Sequence, residues 1–344
     1  CGGNYAGSRR ICTCQRTSCE TGASSLKDTR WGLIGAGWIA TKAIAPAMHS
    51  ANNTIVQAVA SRDPQRARAL NPHTVYESYE ALINDPLVDA VYISLPNHLH
   101  SQWAIKALSA GKHVLCEKPF AMNPAQVQEM VQAAKNSDRL LVEAVWAQWH
   151  PRMRRLVEYA QSAELGEVIS IDSSFTFPAT LDGNYRLSPE MGGGALFDVG
   201  VYPLHAIAAI LADREDAAIE SYEVNRGPTG IDLTSRWRMS FGKGITANAL
   251  ASFEMQEDQK LSIQGSLNSA ELLGDQAFSS WHAPSSLRLG DLVEEFEAVD
   301  PYRLMIENFG KKIQGEESWV LPLGNSIWVS KIIEKLQTYA SKSK

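Results

Sequence analysis

The sequence predicts a two-domain α/β chain. A doubly wound parallel sheet with helices on both faces comes first; an α+β domain built on a large, mostly antiparallel, open-faced sheet follows. Three observations predict it. A glycine-rich turn, Gly35-Ala36-Gly37-Trp38-Ile39-Ala40, joins a short apolar run to a helical segment. Apolar runs of strand length then alternate with amphipathic segments as far as Val145, as expected of strands buried on both faces. After Pro151 the rhythm changes to β-branched, alternating segments.

Taken in order, Trp31–Gly35 is a buried strand. Trp38–Ser50 is a helix with Ile39, Ala43, Ile44 and Met48 on its apolar face. Ile55–Ala60 is the next strand, and Pro64–Leu70 a helix with Asp63 as its N-cap and proline at the first position. Thr74–Tyr76 is a brief strand and Tyr79–Asn84 a short helix. Val91–Leu95 is again a strand, and His98–Ala110 an amphipathic helix stopped by Gly111. His113–Cys116 is a strand, Asn123–Ala134 a helix capped by Asn123, and Leu140–Val145 a strand.

In the second half Met153–Gln161, Gly200–Leu211, Tyr302–Ile313 and Ile327–Ser341 carry helical periodicity. Val168–Phe177, Ile219–Asn225, Leu233–Phe241, Ile245–Phe253 and Lys260–Gln264 read as strands. The expected division is a tail over 1–29, a nucleotide-binding domain over 30–149 and a second domain over 150–344.

Composition narrows the class. The chain has 344 residues, a formal net charge of -6 and no basic stripe to follow a phosphate backbone, so nucleic acid is not an expected partner. No apolar stretch is read as reaching the roughly 20 residues that cross a bilayer. Four of the five cysteines lie at Cys1, Cys12, Cys14 and Cys19. The body, holding only Cys116, lacks a disulfide framework and is expected to be cytoplasmic. The tail is expected to be a disordered or non-native extension, its composition being Gly, Ser, Thr, Arg and Cys without periodic apolar positions. A metal site on Cys12, Cys14 and Cys19 and a lipid anchor on Cys1 are the alternatives. The first has a spacing that fits no common zinc pattern, and no signal peptide precedes Cys1. In the body no histidine spacing suits a metal, and none is expected.

The turn carries G-x-G-x-x-A between a strand and a helix. Gly35 permits the tight turn, Gly37 lets the backbone approach a pyrophosphate, and Ala40 allows close helix–sheet packing. Trp38 and Ile39 begin a helix whose free N–H groups face the anion. An ordinary tight turn has the same glycines; the βαβ context makes this one a dinucleotide site of the Rossmann type. The second strand ends Ala60-Ser61-Arg62. An NAD site would place an acid there. Arg62 instead offers a planar fork for a 2′-phosphate and Ser61 a hydroxyl, so NADP is expected over NAD.

Three further segments carry chemistry: Leu95-Pro96-Asn97-His98-Leu99-His100, Cys116-Glu117-Lys118-Pro119 and Gly192-Gly193-Gly194-Ala195-Leu196-Phe197-Asp198-Val199-Gly200-Val201-Tyr202. With the glycine turn, they resemble the glucose–fructose oxidoreductase/inositol dehydrogenase (Gfo/Idh/MocA) family, from Trp31 to the C-terminus. Glu143-Ala144-Val145-Trp146 and Tyr202 are most similar to the dihydrodiol dehydrogenase and NADP-dependent D-xylose 1-dehydrogenase branch. Many members of the family carry His where Tyr202 stands and Asp where His205 stands, which argues against inositol dehydrogenase itself.

The resemblance implies hydride transfer between a nicotinamide and a CH–OH group of a sugar or cyclic diol. Tyr202 is then the proton-transfer group, Lys118 lowers its pKa and binds the substrate oxygen, and Asp198 orders hydroxyls or tunes Lys118. Asp198 could instead cap the following helix, and Tyr202 could be a packed aromatic. Leu95, Pro96, Asn97, His100, Glu117 and Trp146 match positions lining the cofactor cleft. Trp146, Phe175, Arg186 and Trp281 are candidates for the substrate pocket. Turn, surface or core packing are their bland alternatives. The family also implies a homodimer or higher homo-oligomer through the second sheet. A keto-sugar or anhydro-sugar reductase and a non-catalytic NADP-sensing regulator remain as alternatives. Lys118 and Tyr202 together argue against the regulator.

Overall fold

In this computed structural model, residues 27–179, 185–211 and 216–342 are described. The expectations for the tail cysteines lie outside them. β1 (Thr29–Ile34), β2 (Thr54–Ala60), β3 (Thr74–Tyr76), β4 (Ala90–Ile93), β5 (His113–Glu117) and β6 (Leu141–Ala144) form a parallel sheet in the order β3-β2-β1-β4-β5-β6. Leu33, Ile34, Val91, Ile93, Val114 and Leu115 are fully buried, which is why these strands read as continuous apolar runs. The strand order reverses between β1 and β4. A crevice therefore opens at the carboxyl ends of these two strands, where such sheets bind ligands.

Helices α2 (Pro64–Ala69), α3 (Tyr79–Ile83), α4 (His100–Ser109) and α5 (Pro124–Ser137) link the later strands. Asp63 and Asn123 cap α2 and α5 through backbone N–H groups, as expected. The helix after the glycine turn differs from expectation. It opens as a π-helical turn, Ala40–Ile44, before continuing as α1 (Ala45–Ser50). Pro46 has no N–H to donate to Lys42, so the regular ladder cannot run through it.

Past α6 (Pro151–Ala160), the second sheet comprises β7 (Val168–Thr176), β8 (Ala218–Arg226), β9 (Asp232–Phe241), β10 (Ile245–Ser252), β11 (Asp258–Gly265), β12 (Ser269–Leu273), β13 (Ser285–Leu289) and β14 (Leu292–Phe296). Its order is β14-β13-β12-β11-β7-β10-β9-β8, antiparallel except for the β7–β10 pair. The last three strands escaped the sequence reading: they are five residues each, and serine and glutamate interrupt their apolar alternation. Helix α7 (Val201–Ile210) lies against this sheet; α8 (Pro301–Ile313) and α9 (Leu323–Lys342) return to the first sheet's side. There Phe309 meets the fully buried Trp31 at 5.1 Å between rings. The outer face of the sheet carries a polar row: Asn248 donates to Asp172 (2.8 Å) and Arg238 to Glu220 (2.7 Å).

One expectation is corrected. Pro189–Ile210 is long and apolar enough to span a bilayer by length and composition, but 89% of its most apolar window is buried inside the fold. It is a core helix, and its start is fastened from a distant strand. Asp232 Oδ2 accepts from the Leu196 backbone N–H (2.7 Å) and from Ser235 Oγ (2.8 Å). Gly194 just before it has φ +113°, and a Cβ there would collide with the Asp232 carboxylate. Asp232→Ala is expected to strand the buried Leu196 N–H and cost about 1–3 kcal/mol, measurable by urea unfolding.

Candidate active site

The glycine turn sits at the crevice. Gly35 N–H donates to Ala60 O (2.9 Å), and Gly35 has φ +101° with Ser94 O where a Cβ would go, so only glycine makes this turn. A Cβ on Gly37 would meet nothing within 4 Å. The space over the turn is open, and a dinucleotide's pyrophosphate would fill it. Trp38 is 70% exposed at the rim, Ile39 is half-buried and Ala40 fully buried against the sheet. At the end of β2, Ser61 is buried and its Oγ accepts from Asp63 N–H (3.2 Å), while Arg62 is exposed. The residues present fit a dinucleotide along this edge, with a free guanidinium-bearing side at the β2 end.

Lys118 follows β5 and reaches across to the second domain. Its Nζ donates to Asp198 Oδ1 (2.9 Å) and to the Asp198 backbone O (2.7 Å). Arg186 Nε donates to the other carboxylate oxygen, Oδ2, at 2.7 Å. Asp198 is therefore a bridge between two cations. It lies in a π-helical turn, Leu196–Gly200, and its own N–H donates to Gly194 O (3.1 Å). The alternative that it merely caps a helix is set aside: its side chain is committed to Lys118 and Arg186. Burial alone would raise the Asp198 pKa; the Lys118 and Arg186 charges reverse that and hold it at about 2. Burial likewise acts to lower Lys118, but Asp198 and the neighbouring phenols and Glu117 outweigh it and raise its pKa.

Tyr202, on α7, is buried beside this pair. Its ring centroid is 5.3 Å from Lys118 Nζ, and its hydroxyl oxygen accepts from Trp146 Nε1 at 2.9 Å. Lys118 pulls the Tyr202 pKa down, as expected, but it does not win. Burial pushes the phenol up to about 12, with Glu117 and Asp198 adding to the rise. The group is a neutral phenol at physiological pH. Its oxygen receives the indole N–H, which leaves its own O–H to donate elsewhere.

Aromatic residues wall the site. Trp146 stacks on Tyr302 (4.6 Å, 19°), and Trp281 meets Tyr302 edge-on at 5.4 Å while its Nε1 donates to Asp300 (3.1 Å). Phe175 lies 5.2 Å from the Tyr202 ring and 6.0 Å from Phe278. Lys118, Asp198, Arg186, Tyr202, Trp146 and Phe175 thus come together in one place. Trp281 joins them only through Tyr302.

Two predicted cleft residues are turned to other tasks. His100 is fully buried, with Nδ1 2.8 Å from Pro119 O and Nε2 2.8 Å from Leu95 O. Both ring nitrogens are occupied, so it ties the chain after β5 to that after β4. Asn97 is buried and donates to Gly192 O (2.8 Å), linking the first domain to the glycine run of the second. Leu95 and Pro96 are half-buried beside it.

The sequence reading missed Tyr92, Tyr302 and Phe278. The signal was present for Tyr92: it is the sole phenol in the aliphatic run Ala90–Ile93, and a buried hydroxyl needs a partner. Its partner is Glu117, to which it donates. Glu117 also accepts from Lys118 N–H (3.2 Å), and burial raises its pKa to about 7.

A comparison with known proteins now places the chain. Residues 29–144 match the oxidoreductase family with an NAD-binding Rossmann fold, and 126–271 match the GFO/IDH/MocA C-terminal domain. The chain belongs to the GFO/IDH/MocA oxidoreductase family. It is 31% identical to D-xylose 1-dehydrogenase (NADP(+)) 2 of Haloferax volcanii, over 89% of this chain and 95% of that one. It is 29% identical to trans-1,2-dihydrobenzene-1,2-diol dehydrogenase of Sus scrofa, over 71% and 74% of the two chains. Among solved structures, a 3-ketoreductase from Actinomadura kijaniata in complex with NADP and TDP-benzene superposes with a TM-score of 0.82 at 27% identity, covering 91% of this chain and 98% of that one.

The raised Glu117 pKa has a definite sign. Below the ordinary 4.5 the carboxyl is protonated in both folded and unfolded chains and imposes no penalty; from there to about 7 the unfolded chain ionises while the folded chain holds its proton, so stability falls across that window and levels off above it. Glu117→Gln is expected to lose this dependence, so the stability gap between variant and wild type should move by about 3 kcal/mol in the variant's favour from pH 4.5 to 8, followed by denaturant melts.

Proposed function

We propose that this protein is an NADP-dependent oxidoreductase acting on a CH–OH group of a sugar or cyclic diol. The observation that carries the reading is the meeting of Lys118, Asp198 and Tyr202 beside the carboxyl edge of the first sheet. NADP, when bound, supplies or accepts the hydride. Gly35 to Ala40 would hold its pyrophosphate, Ser61 and Arg62 its adenosine phosphate, and Leu95, Pro96, Glu117 and Lys118 the edge nearest the reacting ring.

Lys118 has a third N–H beyond the two given to Asp198, and that donor is available to a substrate oxygen. Tyr202 moves the proton at that oxygen. Asp198 keeps Lys118 charged and in place, and Arg186 stops the carboxylate from turning away. Trp146 and Phe175 give the apolar walls against which a sugar ring or cyclic diol packs. Trp281 is a rim residue. Relatives bearing the names D-xylose 1-dehydrogenase and dihydrobenzenediol dehydrogenase support the substrate class.

A second reading, a keto-sugar reductase, draws on the phenol. A neutral Tyr202 whose oxygen already receives the Trp146 N–H is arranged to give a proton to a carbonyl oxygen. The solved 3-ketoreductases, among which single lysine and single tyrosine variants have been studied, support this direction. In either direction, the uncovered outer face of the second sheet supports pairing of two copies.

The test is absorbance of the reduced nicotinamide with pentoses, hexoses, cyclic diols and keto-sugars. Turnover with one of these classes is expected; cofactor binding without turnover would favour a sensor instead. Lys118→Ala should lower kcat about a hundredfold or more while NADP still binds. Wild-type rates in that variant would overturn the assignment. Arg62→Ala should weaken NADP on the order of tenfold and NAD hardly at all, read by titration calorimetry; equal losses would remove the 2′-phosphate argument.

A further inference from the structure

We propose that Glu143 and His205 form a positioning pair that sets the Tyr202 phenol against Lys118. The inference rests on the functional reading above. Glu143 lies on β6 and is 2% exposed; His205 lies on α7 and is fully buried. His205 Nε2 stands 3.0 Å from Glu143 Oε2. This contact is off the line of a hydrogen bond, and among the described residues neither ring nitrogen of His205 has a hydrogen-bond partner.

The pair repeats, three residues away in each segment, the contact that holds the phenol. Trp146 follows Glu143 by three positions; Tyr202 precedes His205 by three, and the two are joined by the indole N–H to the hydroxyl at 2.9 Å. Residues three apart on a helix share a face, so His205 and Tyr202 project toward the same neighbour. Two cross-links therefore fix α7 against the end of β6: one polar contact in the reacting site and one beneath it. Packing and the Asp232–Leu196 bond hold α7 as a whole, and the second contact sets the local alignment of the face that carries Tyr202.

A buried carboxylate–imidazole pair is a poor choice for stability alone, because apolar residues of the same volume pack without a desolvation cost. What it offers is a defined alignment. The site also has room to relax when the pair is broken. Glu143 lines a small cavity with Pro119, Val201, Ser326 and Ser330, and Ser326 Oγ is buried there without a partner. Pro119 and Val201 directly adjoin Lys118 and Tyr202, so a shift into this space moves both site residues.

The experiment uses full-length protein labelled with 13C at the tyrosine ζ carbon, with the Tyr202 signal identified by its loss in Tyr202→Phe. His205→Phe and Glu143→Gln are expected to shift the Tyr202 resonance while that of Tyr159 stays put, and His205→Gln should restore it partly. In turnover, His205→Phe should lower kcat about tenfold with KM for NADP unchanged, and in a Tyr202→Phe background it should cause no further loss in single-turnover rate. An unmoved Tyr202 resonance, or losses that simply add, would overturn the proposal. If His205→Phe does not fold, the near-isosteric Glu143→Gln reports on the same pair. The resonance needs no substrate, so a wild type inactive on every carbinol and ketone would sink the functional reading while the pair is still judged by NMR.

Discussion

The Lys118–Asp198 contact is the constraint on which the site depends. Lys118 belongs to the end of a parallel strand, and Asp198 to a helix start in the other domain. Burial by itself drives each toward its neutral form; each holds the other charged, with Arg186 supporting Asp198 as well. The pair therefore dictates how close the two sheets come. It also dictates what must surround it. Arg186 occupies the carboxylate oxygen that Lys118 leaves, and the backbone carbonyl of Asp198 takes a second ammonium proton. One lysine donor is left over beyond the two given to Asp198.

The same constraint explains the phenol. Lys118 pulls the Tyr202 pKa down, but the burial of the hydroxyl outweighs it, and Glu117 and the Asp198 that holds the lysine both push the same way as burial. Tyr202 is held as a neutral phenol with its oxygen anchored by Trp146. In the proposed reaction, oxidation of a carbinol begins by taking that proton off, whereas reduction uses it as it stands. By microscopic reversibility both share one transition state, so this state of the phenol governs how the rates vary with pH and leaves the equilibrium to the cofactor and substrate.

Much of this was legible in the sequence because it is local. Gly35, Gly37 and Ala40 sit within one turn, Asp63 and Asn123 cap helices two or three residues away, and β1 to β6 announce themselves as apolar runs. Lys118, Asp198 and Tyr202 came from motif resemblance, and the fold does bring them together. What stayed hidden depends on partners far along the chain. His100 looked like a cleft residue, but the carbonyls of Leu95 and Pro119 claim its ring. Asn97 looked like a cofactor contact, but Gly192, 95 positions on, takes its amide. The sign of the Tyr202 shift could not be read from spacing, because it turns on how completely the fold buries the phenol. The strands β12 to β14 were missed for another reason: their stability comes from pairing with neighbours rather than from their own weak alternation.

The segment carrying Tyr185 and Arg186 is tied to the charge pair and to both domains. Arg186 closes the charge bridge from one side, and Gly194 N–H donates back to Arg186 O (3.0 Å). Asn97 fastens the same stretch to the first domain through Gly192. The loop thus hangs from both sheets at its C-terminal end, while the aromatic wall of Trp146, Tyr302 and Phe175 is set by separate elements. Relatives named for pentose, diol and keto-sugar chemistry can share one architecture because the fold supplies the frame, here joined across its two sheets by the Lys118–Asp198 pair, and the fold alone does not fix the substrate.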